Sequence, residues 1–453
     1  MYLVAGLGIT GRSVLRYFAE QGETCLAFDT RADLDIDSLQ QEFSNVDFAL
    51  GEIPNKWLAE FEFVVLSPGL AKAEPWVESL RIAGKQIIGD IELFARAVGV
   101  PVIAITGSNG KSTVTTITGE ALACAGYSVG VCGNIGEPVL DLLMDDNEYD
   151  VFVLELSSFQ LETTYSLQAA SSVVLNISED HMDRYTDIED YIQAKTKVYA
   201  DTEVAVMAEG FSTQGVVHHA EVVRFGLSES FVQSEADYGL VLKDGQAWLG
   251  HGNEPQISVA TMKLKGRHHQ LNALAMLALC RPFKVENQCF EKVLAGFSGL
   301  PHRTQIVKVH NGVSWVNDSK GTNVGATVTA IESLGAEAAH QLILIAGGAG
   351  KDADFSNLKS PVAQYCKKVI LFGRDQAMIK ASIQASNSDV DCKIDISCVL
   401  DLNAAMAVAL ETVQPGDCVL FSPACASFDQ FDNYVKRGEA FVELVNQACP
   451  SAS

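Results

Sequence analysis

Short apolar runs separated by glycine-rich turns and helical segments recur along the whole chain. Such runs are typical of strands buried in a parallel sheet. They predict strands at 2–5, 25–28, 63–66, 100–105, 128–132, 150–154, 172–176, 314–317, 342–346, 369–372 and 419–422. Intervening segments predict helices, among them 12–21, 91–97, 111–125, 187–199 and 266–279. The alternation indicates an α/β fold, in which ligands collect at the carboxyl ends of the strands.

The length of 453 residues is too great for one ordinary hydrophobic core and predicts three domains. We expect an N-terminal Rossmann-like domain at 1–90 and a C-terminal Rossmann-like α/β domain at 299–453. The central domain, 91–298, is expected to be a P-loop ATPase-like parallel sheet. Within it, residues 204–262 alternate apolar and polar positions with many glycines, which predicts an antiparallel β insertion.

The sequence AITGSNGKST at 104–113 joins a predicted strand to a predicted helix through a glycine-rich turn. Backbone N–H groups of such a turn and of the helix start can cradle phosphate. The longer P-loop pattern has glycine where this chain has Ile105, so the loop is a shortened variant and a purely structural turn stays open. The candidate phosphate contacts are Gly107, Ser108, Asn109, Gly110, Lys111, Ser112 and Thr113.

A second glycine-rich turn follows the first predicted strand. The sequence GLGITG at 6–11, with Asp29 about 20 residues later, matches the dinucleotide fingerprint. Taken alone, it indicates an NAD-dependent oxidoreductase. Its physical content is that an anionic nucleotide can dock on this helix start, with Asp29 near the ribose or base. Which nucleotide binds stays open, and so does a structural glycine turn.

Charge and composition restrict the partners. The net charge of −25 argues against general nucleic-acid binding, which needs a basic face, but does not exclude small anionic substrates. The 11 cysteines are scattered without a CxxC or Cys/His metal spacing, which is typical of reduced thiols. We find no signal-peptide pattern at the start and no apolar run of the ~20 residues that span a membrane. We therefore expect a cytoplasmic protein.

Three chemically capable side chains come just after predicted strands. Lys111, Glu155 and His181 each lie past such a strand end, so a parallel sheet would gather them at one edge. Singly, Glu155 could be solvated at its strand end and His181 could be an ordinary loop histidine. Their convergence favours a shared site.

Several motifs now occur together in one order. They are TGSNGKST (106–113), LELSSFQLE (154–162), NISEDHMDR (176–184), HR (302–303), NDSK (317–320) and SPACASF (422–428). This order and spacing resemble the Mur ligases of peptidoglycan synthesis over essentially the whole chain. The second and last motifs are similar to those of the branch that adds D-glutamate.

The resemblance implies an ATP-dependent amide ligase. Members of the family transfer the γ-phosphate of ATP to a carboxylate, and an amino group then displaces phosphate from the acyl phosphate. The expected substrates are the small molecules UDP-N-acetylmuramoyl-L-alanine and D-glutamate, with two Mg²⁺ ions, and the expected state is a monomer. No nucleic acid or membrane partner is expected.

The resemblance also implies roles for individual residues. Lys111, Glu155, His181 and Lys195 would be catalytic. Ser112 and Glu155 would hold Mg²⁺ on the ATP phosphates, and His181 would serve a second Mg²⁺. Lys195 would carry a CO₂-derived carbamate that serves the metal site, although Lys197 lies close enough in sequence to compete for that assignment.

The remaining implied contacts fall into three groups. ATP would contact Asn272, His302, Arg303 and Asp318. The UDP-substrate would contact Ile9, Thr10, Asp29, Thr30, Arg31 and Asn134, and D-glutamate would contact Lys320, Thr322, Lys351, Ser427 and Phe428. The chain departs from the family at Ala349, where the pattern before the lysine usually has Asp, and this makes the role of Lys351 less secure.

Four alternatives remain at this stage. One is a sibling Mur ligase with another amino acid, against which the motif at 422–428 argues. Another is a folate ligase, which would lack the N-terminal unit. An NAD-dependent oxidoreductase would leave Lys111, Glu155 and His181 without a role. A non-catalytic nucleotide-binding regulator would not need every presumed metal ligand.

Overall fold

The structure is a computed structural model that describes residues 1–182, 184–211, 219–228, 231, 234–264, 266–335, 342–350, 353–384 and 394–449. The chain divides into two compact units. The first comprises Met1–Ile177, Glu189–Met262 and Leu271–Ala295, and the second comprises Ser178–Ile188, Lys263–Gln270 and Gly296–Ser453. The domain limits predicted above stay predictions.

The first unit begins with a five-stranded parallel sheet. Its strands are β1 (Tyr2–Ala5), β2 (Cys25–Asp29), β3 (Asp47–Leu50), β4 (Phe63–Leu66) and β5 (Gln86–Ile88), and its helices are α1 (Ile9–Gln21), α2 (Asp37–Glu42), α3 (Pro75–Ile82) and α4 (Asp90–Ala97). The strand order is β3-β2-β1-β4-β5. Leu3 and Val4 enter separate apolar clusters, so both faces of β1 are covered, as a parallel sheet requires.

The same unit contains a nine-stranded sheet. Its strands are β6 (Val102–Thr106), β7 (Val129–Gly133), β8 (Val151–Glu155), β9 (Ala169–Val174), β10 (Thr202–Ala208), β11 (Glu221–Phe225), β12 (Tyr238–Lys243), β13 (Gln246–His251) and β14 (Glu254–Ser258). The associated helices are α5 (Lys111–Cys124), α6 (Val139–Met144), α7 (Ser158–Glu162), α8 (Ile188–Thr196), α9 (Arg267–Leu279) and α10 (Asn287–Gly296). The strand order is β14-β13-β12-β11-β10-β9-β6-β8-β7.

The predicted antiparallel insertion at 204–262 is only partly correct. Strands β10 and β11 pair in parallel and extend the central sheet from β9. Only β12, β13 and β14 form antiparallel pairs. The alternation of apolar and polar residues shows that a strand has one exposed face, but it does not show the direction of its neighbour.

The second unit contains a six-stranded sheet. Its strands are β15 (Gln305–His310), β16 (Val313–Asn317), β17 (Leu342–Gly347), β18 (Cys366–Phe372), β19 (Asp395–Cys398) and β20 (Cys418–Phe421), and its helices are α11 (Val324–Gly335), α12 (Lys359–Tyr365), α13 (Gln376–Gln384), α14 (Leu402–Thr412) and α15 (Tyr434–Ala448). The order is β15-β16-β20-β17-β18-β19. The pair β15–β16 is antiparallel, and the other pairs of this sheet are parallel. The predicted fold class of three α/β domains with mainly parallel sheets is confirmed.

Most predicted elements are present with shifted ends. The strand predicted at 100–105 begins at Val102, because Pro101 has no N–H for the ladder. Helix α1 begins at Ile9 rather than at residue 12, directly after Gly8. The edge strands β3 and β19 were not predicted, because each has only four residues and none of them is fully buried. Among the described helices, none combines the length and apolarity needed to cross a membrane.

Asp29 closes the glycine-rich turn between β1 and α1. Its buried carboxylate accepts hydrogen bonds from Leu7 N at 2.8 Å, Arg31 N at 3.0 Å and Arg31 Nε at 2.8 Å. Burial alone would raise the pKa of Asp29, but the side chain of Arg31 and the two amides outweigh it and lower the pKa to about 2. The ionised carboxylate therefore stabilises the folded turn.

We predict that Asp29→Asn reduces the free energy of unfolding at pH 7. A shift from an ordinary pKa of ~3.9 to about 2 corresponds to at most about 2.5 kcal/mol, and solvent screening of the half-exposed Arg31 makes the loss smaller. Because the folded-state pKa is depressed, this stabilisation is complete above pH ~4 and is lost as the pH falls toward about 2. Urea unfolding at pH 7 and at pH ~3 measures it.

The matched control is Asp141→Asn, which breaks a two-bond pair with Arg16. The Asp141 side chain is 22% exposed, compared with 4% for Asp29. We expect its loss to stay within ~1 kcal/mol at pH 7. An Asp29→Asn loss that does not shrink between pH 7 and pH ~3 would contradict the assigned role of the carboxylate.

Candidate active site

The shortened P-loop between β6 and α5 has a backbone that only glycine can follow at two positions. Gly107 and Gly110 have φ angles of +150° and +84°. A Cβ atom on Gly107 would lie 3.0 Å from Leu175 Cβ, and one on Gly110 would lie 2.8 Å from Asn272 Oδ1. The glycines therefore allow the loop to approach its neighbours closely, and Asn272 lies beside the predicted phosphate cradle.

Asn176 fixes the conformation of this loop. Its carbonyl oxygen accepts from Ser108 N at 2.9 Å, and its Oδ1 accepts from Asn109 N at 2.8 Å. Its Nδ2 donates to Asn109 O at 3.0 Å. Asn176 was not predicted as a site residue, although it is an amide that follows a buried strand and a short loop segment.

Helix α5 begins at Lys111, at the end of the glycine-rich turn. Lys111 Nζ donates to Gly107 O at 2.8 Å and to Ser108 O at 3.0 Å, so its ammonium group lies over the loop. Ser112 is buried in the first turn of the helix. The start of a 14-residue helix adds positive potential, so loop, lysine and helix together are suited to bind phosphate.

Glu155 ends β8 next to this loop. The pairing of β6 with β8 places Ile105 opposite Glu155, and Thr106 Oγ1 donates to Leu156 O at 2.7 Å. Glu155 is buried, and its Oε1 accepts from Asn134 Nδ2 at 2.8 Å. Within the described part of the chain, Oε2 is buried and has no hydrogen-bond partner. Asn134, predicted to contact the UDP-substrate, therefore lies beside the predicted metal ligand.

These residues fit a magnesium ion. A buried carboxylate oxygen without a donor is costly, and coordination to a cation satisfies it. A carboxylate and a hydroxyl such as Ser112 are oxygen ligands of the kind that Mg²⁺ prefers, together with phosphate oxygens. The described residues contain no group of three or more His, Cys, Asp or Glu side chains that could hold a metal alone. The protein would therefore share the ion with a phosphate ligand.

The structure separates the two candidate lysines of α8 and its extension. Lys195 is buried, and its Nζ lies 3.0 Å from Gly107 O and 3.4 Å from Thr106 Oγ1. Lys197 Nζ instead donates to Glu162 O at 3.1 Å, and burial, followed by the nearby charge of Lys72, lowers its pKa. Lys195 therefore faces the phosphate-binding loop, whereas Lys197 does not.

In the second unit, Asp318 lies directly after β16. Its Oδ2 accepts from Ser422 Oγ at 2.6 Å, and its Oδ1 accepts from Thr304 N at 3.0 Å. Burial raises the pKa of Asp318 to about 6. Arg303, the other candidate for nucleotide binding, precedes Thr304 in the same loop.

His302 and His181 also belong to the second unit. Asn317 Nδ2 donates to His302 Nδ1 at 2.9 Å, which places the imidazole proton on Nε2, and burial lowers the pKa of His302. His181 has a φ angle of +59°, and its Nε2 lies 3.6 Å from Asp180 Oδ2. Asn323 Nδ2 donates to that same oxygen at 3.1 Å, so the structure groups His181 with the start of α11.

The candidate D-glutamate contacts lie on loops after β16 and β20. Lys320 Nζ lies 4.1 Å from the ring centre of Tyr434, and Ala424 N donates to Gly321 O at 2.8 Å, which joins the two loops. Ser427 is buried, while Phe428 is 74% exposed. Thr322 lies on the loop after β16. Lys351, the remaining predicted contact, lies outside the described residues.

Ala349, where the family usually has Asp, contacts the loop after β20. Two backbone hydrogen bonds of 2.9 Å join Ala349 and Ala426. Ala349 is buried, and its methyl group needs no hydrogen-bond partner there. An ionised Asp side chain at the same position would need one.

The candidate UDP-substrate contacts follow β1 and β2. Ile9 and Thr10 begin α1, and Ile9 is largely exposed. Thr30 lines a cavity of about 370 Å³ together with Phe28 and Trp76. Asp29 accepts from Leu7 N and from the Arg31 side chain, so these two predicted substrate contacts also fix the conformation of the turn.

Comparisons with known proteins identify the family of the chain. Family models match residues 1–89 (Mur ligase MurD-like, N-terminal domain), 105–280 (Mur ligase middle domain) and 302–425 (Mur ligase, glutamate ligase domain). The UDP-N-acetylmuramoylalanine–D-glutamate ligase of Hydrogenovibrio crunogenus is 56% identical over 99% of this chain and 98% of its own. The enzyme of that name from Legionella pneumophila is 41% identical over 98% of both chains.

A solved structure supports the same fold. The MurF ligase from Thermotoga maritima, described in complex with ADP, has a TM-score of 0.61 and 17% identity, with 99% of this chain and 94% of its own covered. Since three family models and full-length relatives agree across the sequence, the chain belongs to the Mur ligase family.

Proposed function

We propose that this protein is an ATP-dependent ligase that joins D-glutamate to UDP-N-acetylmuramoyl-L-alanine in the cytoplasmic synthesis of peptidoglycan precursors. Membership of the Mur ligase family and the names of the two full-length relatives support this function. The observation that carries it is Glu155, a buried carboxylate with an unpartnered oxygen beside a phosphate-binding turn.

The reaction must turn a carboxylate oxygen into a leaving group. The γ-phosphoryl group passes from ATP to the substrate carboxylate, which gives an acyl phosphate and ADP. The D-glutamate nitrogen then forms a bond to the acyl carbon and loses a proton. Phosphate leaves and takes with it the former carboxylate oxygen that joined the acyl carbon to phosphorus. All the reactants are anions, so the enzyme must neutralise charge as well as orient the groups.

The first unit supplies groups for the phosphoryl transfer. Asn176 holds the loop through the N–H groups of Ser108 and Asn109, so the N–H groups at the start of α5 would bind the phosphates. Lys111 would neutralise the charge that develops on them. Ser112 and Glu155 would hold one Mg²⁺, and His181, a residue of the second unit, would hold another. When bound, these ions neutralise phosphate oxygens and orient them for transfer.

Lys195 has a role that requires a chemical change. As an ammonium beside Mg²⁺ it would repel the ion. In the carbamate, the nitrogen of the neutral amine has formed a bond to the carbon of CO₂ and lost a proton, which gives an anion that would serve the metal site. Its buried position against the loop supports this role over that of Lys197.

The second unit supplies candidate contacts to the other groups. Arg303 and Asp318 would contact ATP phosphate and ribose, with His302 beside them. Lys320, Thr322 and the loop at Ser427 and Phe428 would bind D-glutamate, whose two carboxylates require cationic, hydroxyl and N–H donors. Lys351 stays a further candidate. We also propose that the protein acts as a monomer.

The function is tested by ADP formation from ATP and UDP-N-acetylmuramoyl-L-alanine with a panel of amino acids. We expect turnover with D-glutamate and a product that contains one new amide bond. L-Glutamate and L-lysine test stereochemistry and charge, and a mixture without amino acid is the control. Turnover with L-lysine, or none with D-glutamate, would contradict the proposal.

We predict that Glu155→Gln lowers kcat/KM by roughly a hundredfold or more while the melting temperature stays near that of the wild type. The substitution removes the negative charge proposed to hold Mg²⁺ but keeps an oxygen that can accept from Asn134. Steady-state kinetics across a range of Mg²⁺ concentrations, with a thermal melt, measures both effects.

The matched control is Glu92→Gln in the same unit. Glu92 is also buried, but its carboxylate accepts from Tyr165 N at 2.7 Å, Ser166 N at 2.9 Å and Arg96 Nε at 2.8 Å. We expect it to destabilise the protein by about 2 kcal/mol and leave turnover nearly unchanged. Equal effects of the two substitutions on activity would contradict a metal role for Glu155.

We predict that Lys195→Ala lowers turnover by roughly a hundredfold or more, whereas Lys197→Ala stays within roughly threefold of the wild type. Added bicarbonate should restore little, because the amine that would be carboxylated is gone. Carbon-13 NMR with labelled bicarbonate should show a carbamate signal in the wild type and not in Lys195→Ala. A normal rate for Lys195→Ala with a large loss for Lys197→Ala would show that the wrong lysine was assigned.

A further inference from the structure

Arg437 is a fully buried cation at the start of α15. Its Nε donates to Ser319 Oγ at 3.1 Å, and its Nη2 donates to Ser319 O at 2.8 Å. Its Nη1 donates to Cys425 O at 3.0 Å. One guanidinium therefore joins the loop after β16 to the loop after β20.

The partners of Arg437 are unusual for a buried charge. Within the described part of the chain, all three are neutral oxygens, and no carboxylate forms an ion pair with it. Burial lowers the pKa of Arg437 to about 10. Taking a cation out of water costs several kcal/mol, which neutral acceptors do not fully recover. A gain in stability alone therefore does not explain the residue.

Its position on the helix strengthens this argument. Arg437 is the fourth residue of α15, so its charge lies near the positive end of the helix dipole. An acidic side chain, and not a cation, would stabilise the first turn of a helix. The fork of the guanidinium instead matches two loops that must keep a fixed separation.

Each of these loops carries candidate D-glutamate contacts. Ser319 directly precedes Lys320, and Cys425 lies two residues before Ser427. The loops also bond directly, from Ala424 N to Gly321 O and from Ser422 Oγ to Asp318 Oδ2, whereas Arg437 is bonded to Ser319 and Cys425. Gly348 packs close to the guanidinium, since a Cβ on it would lie 3.2 Å from Arg437 Nη1.

We propose that Arg437 is a positioning residue for the D-glutamate pocket, because it fixes the distance between the Lys320 loop and the Ser427 loop. The inference rests on the proposed function, which assigns those loops to D-glutamate. Arg437 does not touch the substrate in this account. It acts through the hydroxyl and carbonyl oxygens of Ser319 and the carbonyl oxygen of Cys425.

The neighbouring nucleotide contact Asp318 has hydrogen bonds of its own, although its charge interacts with that of Arg437. Asp318 is bonded to Ser422 and Thr304, not to Arg437. Loss of the guanidinium should therefore affect D-glutamate more than ATP. This separation of the two substrates distinguishes a positioning role from a general loss of folding.

We predict that Arg437→Met raises KM for D-glutamate by roughly tenfold or more, while KM for ATP and for the UDP-substrate changes by less than about threefold. Arg437→Lys should also raise the KM for D-glutamate, because one ammonium cannot reproduce three bonds from a planar fork. Ser319→Ala, a milder change that removes the hydroxyl acceptor of Arg437 and its bond to Tyr434 O, should raise it by roughly threefold. If the methionine variant does not fold, the other two variants carry the test.

The matched control is Asp417→Asn. Asp417 is buried at the opposite end of β20, where it accepts from Lys367 Nζ and Gln414 N. It should lower the melting temperature and leave the KM for D-glutamate unchanged. An Arg437 series with normal KM for D-glutamate, or with equal rises for all three substrates, would overturn the proposal. A wild-type enzyme without D-glutamate-dependent ADP formation would instead overturn the proposed function, and the inference with it.

Discussion

The pairing of β6 with β8 is the constraint on which the proposed catalytic arrangement depends. Its register places Ile105 opposite Glu155, at the edge where β6 passes into the phosphate-binding loop. Side chains alternate along a strand, so a slip of one residue would turn Glu155 to the other face. Because β9 flanks β6 on the other side, Asn176 reaches the same loop. The geometry of the site is therefore set by rigid sheet structure.

The sequence was sufficient to predict the three α/β domains and the strand ends at which Lys111 and Glu155 lie. Those residues could be predicted because apolar runs locate buried strands and parallel strands end at one edge. Asn176 and Arg437 were missed, since their partners are backbone groups far away in the sequence. The direction of β10 was also missed, because alternation along a strand does not specify its neighbour.

Buried charged groups have two kinds of surroundings in this protein. Glu155 keeps one oxygen without a protein partner, which suits an exchangeable ligand. Asp318 and Arg437 are surrounded by fixed hydrogen bonds, which suits the positioning of loops. Buried charged groups are costly unless they are satisfied, so each arrangement indicates what its group must do.

The central claim is that phosphate passes to a carboxylate of the UDP-substrate and not to water. The direct measurement uses UDP-N-acetylmuramoyl-L-alanine labelled with oxygen-18 in its terminal carboxylate, with ATP and D-glutamate. Mass spectrometry of the phosphate should find one labelled oxygen per turnover, because the acyl phosphate loses phosphate together with a carboxylate oxygen. Phosphate without label would contradict the account, since it would come from attack of water on ATP.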